Sequence, residues 1–151
     1  MKWITRERPK IDRIACPWLI LHFIDANAEF LYVPAGDVLK VANEQGATPY
    51  DIPGVEMGHA GEFCSFDAFL AKYRLDDPAL QQLALIVRGA DTSRLDLTPQ
   101  SAGLYALSLG LSQVYRDDHE MLQHGLVMYD ALYAWCQSCR DETHHWPPAM
   151  R

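Results

Sequence analysis

Imidazole, carboxylate, thiol and guanidinium groups fall in a few short stretches of this sequence. Glu56-Met57-Gly58-His59-Ala60-Gly61-Glu62-Phe63-Cys64 places a carboxylate, an imidazole and a thiol on one segment punctuated by glycine, where backbone can approach a ligand closely. The spacing fits no closed zinc module. Arg88-Gly89-Ala90-Asp91-Thr92 leaves a helix with an aspartate beyond its glycine, and His119 sits in the first turn of the last helix. Two helix ends meeting the His59 loop would gather His59, Asp91 and His119 around one cation, a mixed nitrogen and oxygen set suited to Fe, Mn or Zn. The ordinary alternative is an Asx turn at Asp91, a surface imidazole at His119, and Asp117 and Glu120 as capping groups.

Four of the thirteen Lys and Arg residues, Arg6, Arg8, Lys10 and Arg13, crowd into eight positions beside two acidic residues. Arginine forks meet two oxygens of an oxyanion at once, and Arg88 could join them from its helix end. The competing reading is a solvated loop of weak ion pairs. Cys16-Pro17 reads as an N-cap with proline at the first helical position. A thiol there would feel the helix dipole and Arg13, which makes Cys16 the candidate redox thiol. Against this, an unpaired cysteine beside Trp18 is more often buried and inert. Cys136-x-x-Cys139 with His144-His145 supplies four ligand types, but a lone CxxC without a second half-motif is weak evidence for zinc, and packed cysteines are expected.

The elements that must position these groups divide the chain in two. Trp3–Thr5, Glu29–Val33 and Thr48–Ile52 are short and extended-looking. Val38, Leu39, Val41 and Ala42 recur at helical spacing before Gly46, so a β-α-β beginning is expected. From Ser65 the pattern turns helical. Ser65 precedes Phe66, Phe69 and Leu70, and Asp77-Pro78 opens a helix carrying Leu80, Leu83, Ala84 and Val87 up to Gly89. Thr98-Pro99 starts a segment through Tyr115 that is apolar nearly all round, as a buried central helix would be. Asp117-x-x-Glu120 opens the last helix, with Leu122, Leu126, Tyr129, Leu132 and Tyr133. The expected fold is α+β, predominantly helical, with a small N-terminal sheet packed on a C-terminal helical bundle. It forms a single domain over 1–140 and a poorly ordered tail over 141–151.

At 151 residues, 49% hydrophobic and 22% charged, the chain suits one domain. A net charge of -7 disfavours general nucleic-acid binding. The absence of a long apolar run or leader pattern points to a cytoplasmic protein with no membrane partner. The four cysteines are expected to be reduced. No nucleotide cofactor is indicated, and a homo-oligomer is compatible with the sequence.

The segment Thr5-Arg6-Glu7-Arg8-Pro9-Lys10-Ile11-Asp12-Arg13-Ile14-Ala15-Cys16-Pro17-Trp18-Leu19-Ile20 resembles the signature of the ChrB chromate-resistance family. So do Gly58-His59, Cys64-Ser65-Phe66-Asp67-Ala68-Phe69, Arg88 to Thr92, Leu109-Gly110-Leu111-Ser112 and Asp117-Asp118-His119. The resemblance covers residues 3 to about 137 and is to the C-terminal domain of longer members. It implies a part in the bacterial chromate response, in which such proteins accompany efflux genes and act as chromate-sensing regulators. The region where operator contact would be expected lies outside the resemblance, so direct DNA binding is not expected. Three functions follow: a metal-binding or chromate-sensing domain, a metal-dependent oxidoreductase that reduces chromate or removes reactive oxygen species, or a metal-free interaction domain.

Overall fold

The computed structural model describes residues 1–145, so the end of the expected 141–151 tail, from 146 onward, lies outside the described residues. Strand β1 (Lys2–Arg6) leads through helix α1 (Asp12–Phe23) to β2 (Glu29–Val33). A short 3-10 turn (Ala35–Asp37) and α2 (Val38–Gln45) then lead to β3 (Thr48–Pro49). The strands form a parallel sheet in the order β2-β1-β3, with Trp3 opposite both Phe30 and Thr48. Helices α3 (Ser65–Lys72), α4 (Pro78–Asp91), α5 (Ser101–Val114) and α6 (Asp118–Ser138) complete the described residues. The expected α+β architecture, mostly helical with a small N-terminal sheet, is what forms.

Alternation along β1 divides the core. Trp3 faces the main cluster built by α1, α3, α4 and α6, while Ile4 faces a smaller one with Val38, Ala42, Ala47 and Ile52 under α2. Proline at Pro49 is tolerated because β3 is an edge strand. The parallel strands all end on one side, so β1 delivers Arg6 and β3 delivers Tyr50-Asp51 to the same rim. Open parallel sheets bind their ligands at this rim.

Two helices differ most from the sequence expectation. The first starts at Asp12, not at Pro17, so Cys16 lies inside α1 and is no N-cap. Pro17 has no N–H for the Arg13 carbonyl, and the Tyr50 hydroxyl donates to that oxygen at 3.4 Å instead. The second is α5, expected to be the buried centre: only Ser101, Leu104 and Ser108 are buried, while Leu107 and Val114 are 59% and 69% exposed. The central buried helix is α1, in which every residue from Ile14 to Ile20 is buried. An apolar groove of about 390 Å³ runs between α5 and α6, bounded by Gly103, Leu107, Met128 and Trp135. Helix α4 also runs two residues past Gly89, a glycine that admits close packing of α5 and does not stop the helix. A Cβ there would collide with the Ser101 hydroxyl. Asp91 therefore ends α4 and does not start a turn beyond it.

No helix among the described residues is long and apolar enough to cross a membrane.

Candidate metal centre

The site is assembled from four parts of the chain. Asp12 opens α1, Asp51 follows β3, His59 lies on the loop between β3 and α3, and Asp91 closes α4. Each of the four offers one ligand atom, and these atoms all lie within 4.8 Å of one another. Among the described residues this is the one such group of three or more His, Cys, Asp or Glu donors. His59 Nε2 lies 2.8 Å from Asp91 Oδ2, 3.1 Å from Asp51 Oδ1 and 3.6 Å from Asp12 Oδ2. One imidazole N–H cannot serve three carboxylate oxygens well, since a hydrogen bond prefers one nearly linear acceptor. Donors about 2.1 Å from a shared ion would stand about 3.0–3.4 Å apart at octahedral or tetrahedral angles, close to this spacing.

Local structure explains how carboxylates tolerate such burial. Asp12 is inaccessible, and its oxygens accept from the Ser65 N–H at 2.6 Å and the Phe66 N–H at 3.2 Å. The residue thus caps α3 from another helix, meeting the positive pole of its dipole. The actual N-cap of α3 is Cys64, one residue before the expected Ser65, with Asp67 reaching back to the Cys64 N–H. This frees the Ser65 hydroxyl to donate to Asp51 Oδ1 at 2.8 Å. Asp51 holds φ 53° and Ile11, just before Asp12, holds φ 49°. For a β-branched residue that is a real outlier, of the kind that collects at functional sites. Gly58 lets the His59 loop pass against β3's end, because a Cβ would meet the Ile52 carbonyl at 2.7 Å. Asp91, by contrast, adds a negative charge at a helix C-terminus, an unfavourable place without a cation.

The electrostatics follow. Burial, with Asp91 and Asp51 alongside, pushes the Asp12 carboxyl well above the ordinary carboxylate range. Hydrogen bonds to Asp51 and then Asp91 push His59 up to about 10 against the opposing effect of burial. The imidazolium is the cation among these carboxylates.

His119, expected as the third ligand, does not join the group. It is exposed on the first turn of α6, with its ring edge-on to Tyr32 at a centroid distance of 5.3 Å. The places expected of it are taken by Asp12 and Asp51, which the sequence reading did not single out. Asp12 had one signal: on α1 it shares a stripe with Ala15, Cys16 and Leu19, and an acid on an apolar stripe needs a partner.

The basic residues separate. Arg6, Lys10 and Arg13 line a cavity of about 300 Å³ together with Asp51, His59 and Asp91. Arg8 turns away and caps the C-terminus of α5. Its guanidinium donates to the carbonyls of Ser112 at 2.7 Å, Tyr115 at 3.0 Å and Arg116, and pairs with Asp118 at 2.9 Å. Arg88 forms a bidentate pair with Asp67 at 2.9 and 3.0 Å and lies over the Phe63 ring. Neither is placed to meet an anion beside Arg6 and Arg13.

Cys16 is fully buried with its Sγ 3.8 Å from Asp12 Oδ1. Burial, followed by the Asp12 charge, pushes its thiol well above the ordinary range, the reverse of an activated nucleophile. Cys136 is buried, Cys139 is partly exposed, and neither belongs to a ligand group among the described residues.

Residues 3–136 match the family described as ChrB, C-terminal domain. Protein ChrB of Cupriavidus metallidurans is 31% identical over 140 residues, which is 92% of this chain and 42% of that protein. The chain thus spans less than half the length of this relative. No solved structure matches it. The stretches that carry the resemblance supply Asp12, His59 and Asp91 to the centre, and, apart from it, the Arg88–Asp67 and Arg8–Asp118 pairs.

Proposed function

The chain belongs to the ChrB C-terminal domain family, and from that premise we propose that it is a metal-binding domain acting in chromate resistance, with one divalent transition-metal ion held by Asp12, Asp51, His59 and Asp91. The observation that carries this reading is the convergence of three carboxylate oxygens on a single imidazole nitrogen, two of them on side chains that are at most 5% exposed. Three oxygens and one nitrogen form a hard to borderline donor set. It suits Mn(II) and Fe(II) by type, and Zn(II) by general affinity. The Ser65 and Phe66 N–H groups and the Ser65 hydroxyl fix the orientation of Asp12 and Asp51, as outer partners do in metal sites.

The imidazole is 42% exposed and borders the cavity, so the centre is open on one side. An open side permits ligand exchange, which a closed structural site does not. The basic cavity wall supports oxyanion recognition there by Arg6, Lys10 and Arg13. Sensing and turnover both start from this arrangement, and the same residues hold the ion in either case.

Titration of chelator-stripped protein with Mn(II), Fe(II) under anaerobic conditions and Zn(II) tests the reading. The expected result is one ion per chain, with affinity reduced by about 100-fold or more in His59→Ala and Asp91→Asn, since losing a direct ligand should cost at least the roughly 10–100-fold that losing an outer partner does. Absence of binding, or binding indifferent to both substitutions, contradicts it.

A further inference from the structure

We propose that α5 is the contact helix of a two-fold dimer, in which it packs antiparallel against α5 of a second copy of this chain, with α6 of each copy alongside.

Helix α5 is inside out. Its buried residues are Ser101, Leu104 and Ser108, while Leu107 and Val114 stand in solvent. A helix that serves only its own domain turns its apolar residues inward and its polar ones outward. Gly103 and Gly110 are equally out of place, because a Cβ at either would meet nothing within 4 Å. No contact inside the chain requires glycine there, and each weakens the helix relative to alanine. The groove that Gly103 and Leu107 border is apolar along its length, with Gln100 the one polar residue lining it. Nothing among the described residues covers it.

Gly103, Leu107, Gly110 and Val114 follow one another at intervals of four, three and four, the spacing of a coiled-coil seam. Within that seam glycine alternates with a large side chain. When two such helices run antiparallel, a single two-fold axis between Leu107 and Gly110 sets Leu107 of each copy against Gly110 of the other. The same axis sets Val114 of each copy against Gly103 of the other. Every outward side chain then meets a position without a Cβ, a match that this sequence makes with itself and that an isologous interface requires.

Charge selects the same occupant. From Leu97 to Tyr115 there is no charged residue. On α6 from Met121 to Ser138 the one charge, Asp130, is engaged by α1, with Trp18 Nε1 at 2.8 Å and His22 Nε2 at 3.0 Å. Chains of net charge -7 repel one another, so two copies meet most easily on a neutral face. A helix that lies on a membrane carries Lys or Arg along its polar side, and α5 carries neither. At about 1.5 Å per residue α5 spans about 21 Å, and with α6 about 10 Å to its side the face measures roughly 20 by 20 Å. Two copies then bury on the order of 1,000 Å², enough for a specific interface at the small end of the range.

Sedimentation velocity of the whole chain over about 1–200 µM tests the proposal. The expected result is a monomer–dimer equilibrium with a Kd on the order of 10 µM, as suits a small interface. Gly110→Leu fills the hole and Leu107→Glu puts a charge into the seam. Each should weaken the dimer at least about 30-fold, the effect of a hot spot. Both positions are exposed in the single chain, and Gly110→Leu should melt no lower than the parent when both are dilute and monomeric. That comparison separates a lost contact from a lost fold. Leu107→Gly combined with Gly110→Leu exchanges knob and hole across the axis and should return the Kd to within about tenfold of the parent. A chain that stays monomeric to about 200 µM, its α5 face then belonging to another occupant, overturns the proposal. So does a dimer indifferent to Gly110→Leu and Leu107→Glu, or one that the paired exchange fails to restore.

Discussion

Asp12→Asn separates a metal ligand from a structural carboxylate because it preserves shape and removes charge. In the metal-free protein the carboxyl is inaccessible and its pKa is pushed well up, chiefly by burial and then by Asp91. Two charges 4.8 Å apart, the outer limit of the cluster, repel by about 3.5 kcal/mol at an effective dielectric constant of about 20. The substitution relieves that repulsion. It also leaves one of the Ser65 and Phe66 N–H groups facing an amide NH2, a loss of about 1–2 kcal/mol. These effects oppose one another, so the metal-free variant should unfold within about 2 kcal/mol of the parent. With Mn(II) at about 100 times its Kd, the parent gains about 2.7 kcal/mol, a rise of about 5–11 °C in Tm for a chain of this size. The variant should lose most of that rise. Differential scanning calorimetry with and without Mn(II) measures both quantities. A variant that keeps the full metal-induced rise, or that fails to fold without metal, refutes the reasoning about Asp12.

Three further outcomes follow from the same geometry. The pKa of His59 in the metal-free protein is raised from 6.5 to about 10. The stability it contributes is therefore complete below pH 6.5 and disappears as the pH climbs through 10. Because the imidazole is 42% exposed, the loss should be only about 1–2 kcal/mol after screening. Tm measured against pH should show this decline, and saturating Mn(II), by taking Nε2, should flatten it. Arg8→Ala should cost about 2–3 kcal/mol by uncapping α5, while leaving Mn(II) affinity within threefold. Arg8→Lys should recover little, because a point charge cannot reach three carbonyls, and chemical denaturation measures both. Thiol titration of the folded protein should label Cys139 first and leave Cys16 unreacted until unfolding. Fast labelling of Cys16 would restore it as a redox thiol.

The outline of the fold was legible because its signals are local: proline after Asp77, glycine after α2, and extended segments bounded by proline. Helix α5 misled because composition reports what a helix can bury and not what its neighbours cover. Leu107 and Val114 read as core residues and are exposed. Helix α1 misleads because proline is usually a start signal, whereas here Tyr50 takes over the carbonyl that Pro17 leaves free. Within the site, His59 and Asp91 stood out by loop and helix-end placement. His119 shared their residue type but not their location, since nothing in sequence spacing says which side of the bundle the first turn of α6 faces. Asp51 carried no local signal at all. It reaches the centre because β3 pairs in parallel with β1, a long-range fact. Arg8 looked like its basic neighbours, yet φ 54° turns it toward α5 and away from the cavity.

Anomalous diffraction from crystals of the whole chain grown with Mn(II) tests the central claim most directly. One strong peak is expected, about 2.0–2.3 Å from oxygens of Asp12, Asp51 and Asp91 and from Nε2 of His59. A peak only at other residues, or an ion-free centre in which His59 donates to a single carboxylate, would contradict it.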